Sequence, residues 1–244
     1  MNNTKLDHIK LSYLNLESPQ ENRSGIVGYF LILLYVVGII PILGVPFSLP
    51  FFLAAIIPIT IIQLWAIVYL IDPYKYEKSY YLFFGIYGAV NTYVYFLVIL
   101  KLIYVNMEWK GSTPFVINLV LFILLLGGIN WLNWKALYSG TYYKLQQKRT
   151  ISVAWTTIGG SSYIIGQIIL SFIYSDSAFN ILIIVLISFL SLWTAFLSIN
   201  IHRYFFINKN IDIVKYRFPE FGLPKSDRYT EQKKNKKKRK KGKE

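Results

Sequence analysis

Six stretches of mainly apolar residues recur along the chain, each 20 to 24 residues long, with short polar segments between them. A helix of about 20 apolar residues covers the roughly 30 Å hydrocarbon core of a bilayer, so each stretch predicts a membrane-spanning helix. The pattern predicts an all-α integral membrane protein, a six-helix transmembrane bundle that occupies residues 25–206. The predicted spans are Gly25–Gly44, Phe51–Ile71, Tyr80–Leu100, Pro114–Trp134, Ile151–Tyr174 and Ala178–Ile201.

The first two stretches leave a second arrangement open. Pro41, Pro46 and Pro50 crowd the connection between them, in which only six residues, 45–50, lie outside both stretches. A re-entrant hairpin that enters and leaves by the same face fits this pattern as well as two full spans do. The bundle would then have four full spans, and both chain ends would still lie on one side.

Lysine and arginine are distributed unevenly among the loops, and this predicts the orientation. If both termini lie in the cytoplasm, the cytoplasmic segments hold 24 of the 26 basic side chains. Only Lys101 and Lys110 lie outside, and Lys101, at the end of the third span, is expected to reach the headgroups. We therefore expect a multi-pass protein of the cell membrane with cytoplasmic N and C termini.

The amino-acid composition excludes several kinds of functional site. Only 16% of the 244 residues are charged, against about 25% in ordinary soluble domains. The chain has no cysteine and two histidines, His8 and His202, which excludes disulfides, thiolate chemistry and a multi-histidine metal site. No charged side chain lies at the centre of a predicted span, and this argues against an ion-coupled transporter. We expect neither a metal nor a cofactor.

A protease that works inside the membrane is excluded by depth. Ser161 is predicted about ten residues, roughly 15 Å, inside the fifth span, whereas His202 ends the sixth span at the cytoplasmic face. A catalytic base must lie about 3 Å from its nucleophile. The sequence also lacks an HExxH motif and a phosphate-binding P-loop. It therefore predicts a protein that is not an enzyme.

Small and amide residues in the third and fifth spans are the candidate contact sites. Small residues four positions apart let helix backbones approach closely, and amide side chains form hydrogen bonds between helices. A broken helix that exposes its backbone to a ligand is the alternative for the fifth span. The candidate helix-packing or partner-surface residues are Gly85, Ala89, Asn91, Gly159, Gly160, Gly166 and Gln167.

The chain ends are predicted to be cytoplasmic, with residues 1–24 as an N-terminal segment and residues 207–244 as a mostly disordered polybasic tail. A basic run attracts anionic headgroups by about 1 kcal/mol per residue. No aromatic residue interrupts the run to stack on bases, which argues against nucleic acid. A solvated tail that only reinforces the orientation is the alternative. The candidate lipid-contact residues are Lys233, Lys234, Lys236, Lys237, Lys238, Arg239, Lys240, Lys241 and Lys243.

These features favour a non-catalytic protein that acts through contacts inside the membrane. Its expected partners are the anionic bilayer and another membrane protein or a secreted protein, as in toxin immunity or complex assembly. The alternative is the permease subunit of an ATP-driven peptide exporter, whose ATPase would bind the loop Lys135–Thr150. Size and a six-span layout are similar to both classes, and shape alone does not decide function.

Overall fold

The computed structural model describes residues 13–14, 16–142, 144 and 175–228. Regular structure in these residues is entirely helical, as the sequence predicts. Five helices are long and apolar enough to cross a membrane, and the fifth predicted span, Ile151–Tyr174, lies outside the described residues. The helices are α1 (Pro19–Leu43), α2 (Leu49–Ile71), α3 (Glu77–Asn106), α4 (Thr113–Tyr138), α5 (Asp176–Lys209) and the short α6 (Ile211–Arg217).

Helix α1 begins six residues before the predicted span because Ser18 caps it. The Ser18 hydroxyl accepts from the Glu21 N–H at 3.3 Å, and the Glu21 carboxylate accepts from the Ser18 N–H at 2.8 Å. This capping box satisfies backbone donors that have no partner within the helix. With 25 residues in α1 and 23 in α2, each helix is long enough to cross a bilayer.

Helix α3 lies at the centre of the bundle and contacts α1, α2, α4 and α5. Every side chain from Val94 to Leu102 is buried. A helix that is apolar on all sides is buried on all sides, so the apolar run Val94–Leu100 explains the central position of this segment. The other long helices surround α3 and leave much of their own apolar surface exposed.

Aromatic hydroxyls join α3 to α1. Between Phe30 and Ile39, α1 widens into π-helical turns. The hydroxyl of Tyr87 donates to the Tyr29 carbonyl oxygen at 2.7 Å, and that of Tyr95 donates to the Leu33 carbonyl oxygen at 2.8 Å. Buried polar groups need such partners, so each tyrosine fixes the position of α1 against α3.

Both ends of the described chain lie at one end of the bundle, here called the terminal face. It carries residues 13–18, the α2–α3 connection, the end of α4 and residues 210–228. The sequence predicts a mostly disordered tail from residue 207, whereas the structure is folded as far as Arg228 through the end of α5, α6 and a final helical turn. The reason is a buried apolar cluster of Leu14, Tyr81, Ile207, Val214 and Phe221.

Candidate functional site

A groove lies between α3, α4 and α5 in the part of the bundle that the structure describes. It encloses about 200 Å³. Helix α3 forms its floor, and α4 and α5 form its two walls. We call it the α4 groove. Its lining is mixed, with four polar residues, Thr92, Asn118, Ser188 and Ser191, and the apolar residues Phe96, Ile99, Leu121, Phe122 and Leu125.

The polar side chains of the α4 groove donate to carbonyl oxygens one turn earlier in their own helices. The hydroxyls of Ser188 and Ser191 donate to the carbonyls of Ile184 and Ile187, at 2.7 and 2.9 Å. The Asn118 Nδ2 donates in the same way to a carbonyl of its own helix, at 3.0 Å. A hydroxyl or amide that donates in this way still has oxygen lone pairs to accept a hydrogen bond. The groove therefore presents acceptors inside an apolar layer.

One edge of the α4 groove has no side chain. Leu121 and Leu125 line the groove, and Gly128 follows them on the same face of α4 at the next helical turn. A Cβ atom added to Gly128 would meet no atom of the described residues within 4 Å. An added Cβ atom at the neighbouring Gly127 also meets no described atom within 4 Å, but Gly127 lies about 100° further round the helix, away from Leu121 and Leu125. Among the described residues, no atom covers the α4 backbone at Gly128.

Gly85 and Gly88 lie in a close contact between α3 and α5. A Cβ atom added to Gly85 would lie 2.5 Å from the backbone nitrogen of Ile201, and one added to Gly88 would lie 2.7 Å from the Thr194 carbonyl oxygen. Small residues are needed here for backbone approach. The half-buried Ala89 lies one residue beyond Gly88. The site at Gly85 is therefore an internal helix contact, and its substitution tests the fold.

Hydrogen bonds strengthen the packing of the three helices around the α4 groove. The hydroxyls of Thr92 and Thr194 lie 3.0 Å apart, and the Asn130 Nδ2 donates to the Ser198 hydroxyl at 2.8 Å. Each such bond between membrane helices contributes about 0.6 kcal/mol. They fix α5 to both α3 and α4, so the shape of the groove is determined by the bundle itself.

Asn91 differs from these residues because its amide is buried without partners. The side chain is fully buried, and neither its nitrogen nor its oxygen has a hydrogen-bond partner among the described residues. An unsatisfied buried amide costs about 1–3 kcal/mol. Its burial keeps Asn91 off any surface that a partner can reach.

A cluster of polar side chains at the terminal face joins the N-terminal segment to α4 and α5. The Asn133 Nδ2 donates to the Tyr13 hydroxyl at 3.1 Å, and that hydroxyl lies 3.0 Å from Nδ1 of His202. The Tyr142 hydroxyl donates to the Asn133 Oδ1 at 2.6 Å. Burial raises the pKa of Tyr13 to about 12, although the hydrogen bond from Asn133 and the nearby Arg203 charge lower it. This hydroxyl is therefore a neutral structural link at physiological pH.

A buried ion pair at the same face joins the C-terminal segment to the start of α3. The guanidinium of Arg228 pairs with the carboxylate of Glu77, whose side chain is 4% exposed. The same carboxylate accepts from the Gly222 N–H at 2.7 Å. The Arg228 guanidinium also lies over the Tyr74 ring, 5.0 Å from its centroid. Sequence reasoning missed this pair because its members lie 151 residues apart.

Lys101 is buried against α1, whereas its place at a span end predicts a side chain that extends to the headgroups. Its side chain is 2% exposed, and its Nζ donates to the carbonyl oxygens of Pro41 and Gly44, at 2.7 and 2.5 Å. These carbonyls belong to the last turn of α1, where helical carbonyls have no partner within the helix. The lysine caps α1 because a cation favours a helix C terminus.

Catalytic and metal-binding groups are sparse in the part of the chain that the structure describes. It contains no group of three histidine, aspartate or glutamate side chains that could hold a metal ion. His202 contacts Tyr13, and Ser161 lies outside the described residues. The other predicted contact residues outside them are Gly159, Gly160, Gly166 and Gln167, with the basic residues Lys233, Lys234, Lys236, Lys237, Lys238, Arg239, Lys240, Lys241 and Lys243.

Comparison with known proteins gives no relative: no protein-family model, no curated protein and no solved structure matches the chain.

Proposed function

We propose that this is a non-catalytic protein of the cell membrane that binds a transmembrane segment of another protein in the α4 groove. The proposal rests on one observation: polar side chains line the groove, and the α4 backbone at Gly128, beside it, is not covered by a described residue. Small residues and polar side chains are what membrane helices use to recognise each other, because lipid tails compete fully with apolar contacts.

Lipid alone is a poor occupant of this groove. Ser188, Ser191 and Asn118 present oxygen acceptors to the cavity, and acyl chains have no donor to offer them. A partner helix with a hydroxyl or amide at the matching depth would satisfy them. The exposed apolar faces of α1 and α2, by comparison, are suited to ordinary lipid contact.

The topology we propose has six spans. Helix α5 contains 34 residues, about 50 Å of helix, and His202 near its end lies at the terminal face. Asp176, at its start, therefore lies at the opposite face, whereas Tyr142 lies at the terminal face beside Asn133. The chain between residues 144 and 175 has to return to the opposite face, as the predicted span Ile151–Tyr174 would.

The terminal face is cytoplasmic in this proposal. Its described residues include Lys75, Lys135 and Arg203, and the opposite face has Lys110. Positively charged loops stay on the cytoplasmic side during insertion. Both termini then lie in the cytoplasm.

Within this class we favour self-protection against a membrane-active toxin or assembly of a larger membrane complex. The permease of an ATP-driven exporter is the second candidate, and its ATPase would bind the segment Lys135–Thr150 beside the terminal face. Purification of the tagged protein in mild detergent, followed by mass spectrometry, separates the two. A secreted or membrane protein in stoichiometric amount supports the contact function, whereas a stoichiometric ATPase replaces it with transport.

A further inference from the structure

The outer surface of α1 and α2 is mostly apolar, but two polar side chains form a hydrogen bond near its middle. The Gln63 Nε2 of α2 donates to the Tyr35 hydroxyl of α1 at 2.8 Å, and both side chains are partly exposed. Tyr35 lies at the centre of the predicted span Gly25–Gly44, and Gln63 lies two residues from the centre of Phe51–Ile71. Two residues of helix rise about 3 Å, so this pair lies close to the bilayer midplane.

The hydrogen bond between these two side chains leaves part of their polar groups unused. An amide has two N–H donors and an oxygen acceptor, and a tyrosine hydroxyl has one donor of its own. The described residues form no other side-chain hydrogen bond with Gln63 or Tyr35. If the amide is turned over, Tyr35 satisfies its oxygen and the NH2 group is left free instead. Lipid tails satisfy neither end of the amide, so its exposure at the midplane favours a protein contact.

Thr60 lies one helical turn before Gln63 and adds an acceptor to the same face of α2. Its hydroxyl donates to the Ile56 carbonyl oxygen at 2.8 Å and keeps lone pairs that accept hydrogen bonds. Thr60 also belongs to a row of exposed residues that are spaced alternately by four and three positions. This spacing is that of a heptad repeat, with which two helices pack side by side. The row, here called the α2 row, is Leu53, Ile57, Thr60, Leu64, Ile67 and Ile71.

A second copy of this chain is the occupant that matches the α2 row in depth and in hydrogen bonding. All copies insert with the same orientation, so Thr60 and Gln63 lie at the same depth in each of them. The polar group contains both donors and acceptors and is therefore complementary to itself. A two-fold axis along the membrane normal makes the two α2 helices parallel and brings identical surfaces together.

We propose that two copies of this protein associate through their α2 rows in a parallel, two-fold symmetric pair. Thr60 lies at the centre of the contact, and the free amide group of Gln63 forms a hydrogen bond with the second copy near the midplane. The exposed apolar residues of α1 and α2 outside the row remain in contact with lipid. No residue that lines the α4 groove belongs to α1 or α2, so the pair is independent of a partner in that groove.

Cross-linking of the purified full chain in liposomes tests the position of the contact. Because the sequence has no cysteine, Leu64→Cys provides a single thiol in the α2 row. Mild oxidation should join two copies through it, since equivalent seam positions face each other in a parallel pair. Ile123→Cys, at an exposed position near the middle of α4, is the control and should stay monomeric.

The dissociation constant of the pair tests the polar groups. It is measured from energy transfer between copies labelled at Lys110→Cys while added lipid dilutes them. Gln63→Leu should raise the constant about eightfold, because two-fold symmetry makes this change remove two hydrogen bonds of the strength usual between membrane helices. Gln20→Leu makes the same replacement at the exposed start of α1 and should leave the constant unchanged.

Thr60→Val keeps the shape of an exposed side chain and removes its hydroxyl, so it should also weaken the pair. This variant keeps the proposal testable if Gln63→Leu fails to fold. A protein that stays monomeric at every density would overturn the proposal and would leave this face to lipid or to a different protein. Cross-linking through Ile123→Cys but not through Leu64→Cys would overturn it as well. So would an unchanged dissociation constant in both Gln63→Leu and Thr60→Val.

Discussion

Arg228 and Glu77 form a buried ion pair that joins the last described turn of the chain to the first residue of α3. The Glu77 carboxylate also accepts a hydrogen bond from the backbone N–H of Gly222. This one carboxylate therefore binds the C-terminal segment at two points. Breaking a buried pair by removing one partner is costly because the other charge is left desolvated.

A double-mutant cycle on this pair is the first prediction. Glu77→Gln and Arg228→Gln should each destabilise the attachment of residues 218–228 by about 3 kcal/mol. This value is the lower end of the range for breaking a buried ion pair, because Arg228 is 12% exposed. The double variant should cost clearly less than the two single variants together. The measurement is the rate of proteolysis in the C-terminal segment. Strictly additive costs would show that the residues do not interact.

The close contact of α3 with α5 gives a second prediction. Gly85→Ala should lower stability by about 1–3 kcal/mol, since the new methyl group meets the backbone at Ile201. Gly28→Ala is the matched control in another helix, because a Cβ atom there meets no described atom within 4 Å. This change should be neutral or stabilise by up to about 1 kcal/mol. Thermal unfolding in detergent compares them. Equal melting temperatures would contradict the contact.

The cap of α1 gives a third prediction. Lys101→Met leaves the carbonyls of Pro41 and Gly44 without their donor and should destabilise the end of α1 by about 1–3 kcal/mol. Lys110→Met, at an exposed position in the following loop, should have no measurable effect. Hydrogen exchange in residues 40–44 reports the difference. Unchanged protection in Lys101→Met would mean that the lysine does not cap the helix.

Alkaline pH gives a fourth prediction. The pKa of Tyr13 is raised to about 12, above its usual value near 10, mainly by burial. The folded state thus holds this proton more tightly, and the stability it contributes is complete below about pH 10 and is lost as pH rises toward 12. Tyr13→Phe should be less stable at neutral pH by about 1 kcal/mol and should lose less stability above pH 10. Parallel curves of melting temperature against pH would contradict this burial.

The pattern of apolar residues predicts most of the membrane-spanning helices, but it does not predict where each helix ends. The stretches Phe51–Ile71 and Pro114–Trp134 match α2 and α4 closely, because hydrophobicity sets which residues lie in the membrane. Caps set the true ends, as Ser18 does for α1. Hydrophobicity averaged over a stretch of sequence does not detect such caps, because each cap depends on a single side chain.

The candidate sites divide in the same way. The small-residue pattern around Gly85 predicts close helix packing without naming the neighbour, and the structure has the α5 backbone at Ile201 beside Gly85. Lys101 has the sequence position of a headgroup anchor, yet the free carbonyls of α1 hold it inside the bundle. The α4 groove is lined by residues from three helices. The hydrophobic pattern of the sequence does not show which helices are adjacent, so it could not predict the groove.

The central claim is that a partner binds in the α4 groove, and substitutions of two glycines on α4 test it. Gly128→Leu should block partner binding, because it fills the groove edge where a helix approaches. Gly127→Leu, about 100° round the helix from Gly128 and away from the groove residues Leu121 and Leu125, should leave binding intact. An added Cβ atom at either position meets no described atom within 4 Å, and thermal unfolding in detergent checks that both leucine variants fold like the parent. Loss of binding in both variants, or in neither, would place the contact elsewhere.

The most direct measurement places a photo-cross-linking amino acid at Leu125, inside the groove, and at Val120 on the opposite face of α4 as the control. After illumination in cells, mass spectrometry identifies what each position has captured. We expect Leu125 to capture a transmembrane segment of a second protein, Val120 to capture none, and the Leu125 product to disappear in Gly128→Leu. Capture at Leu125 of lipid alone, or of residues 145–174 of the same chain, would contradict the proposed contact function.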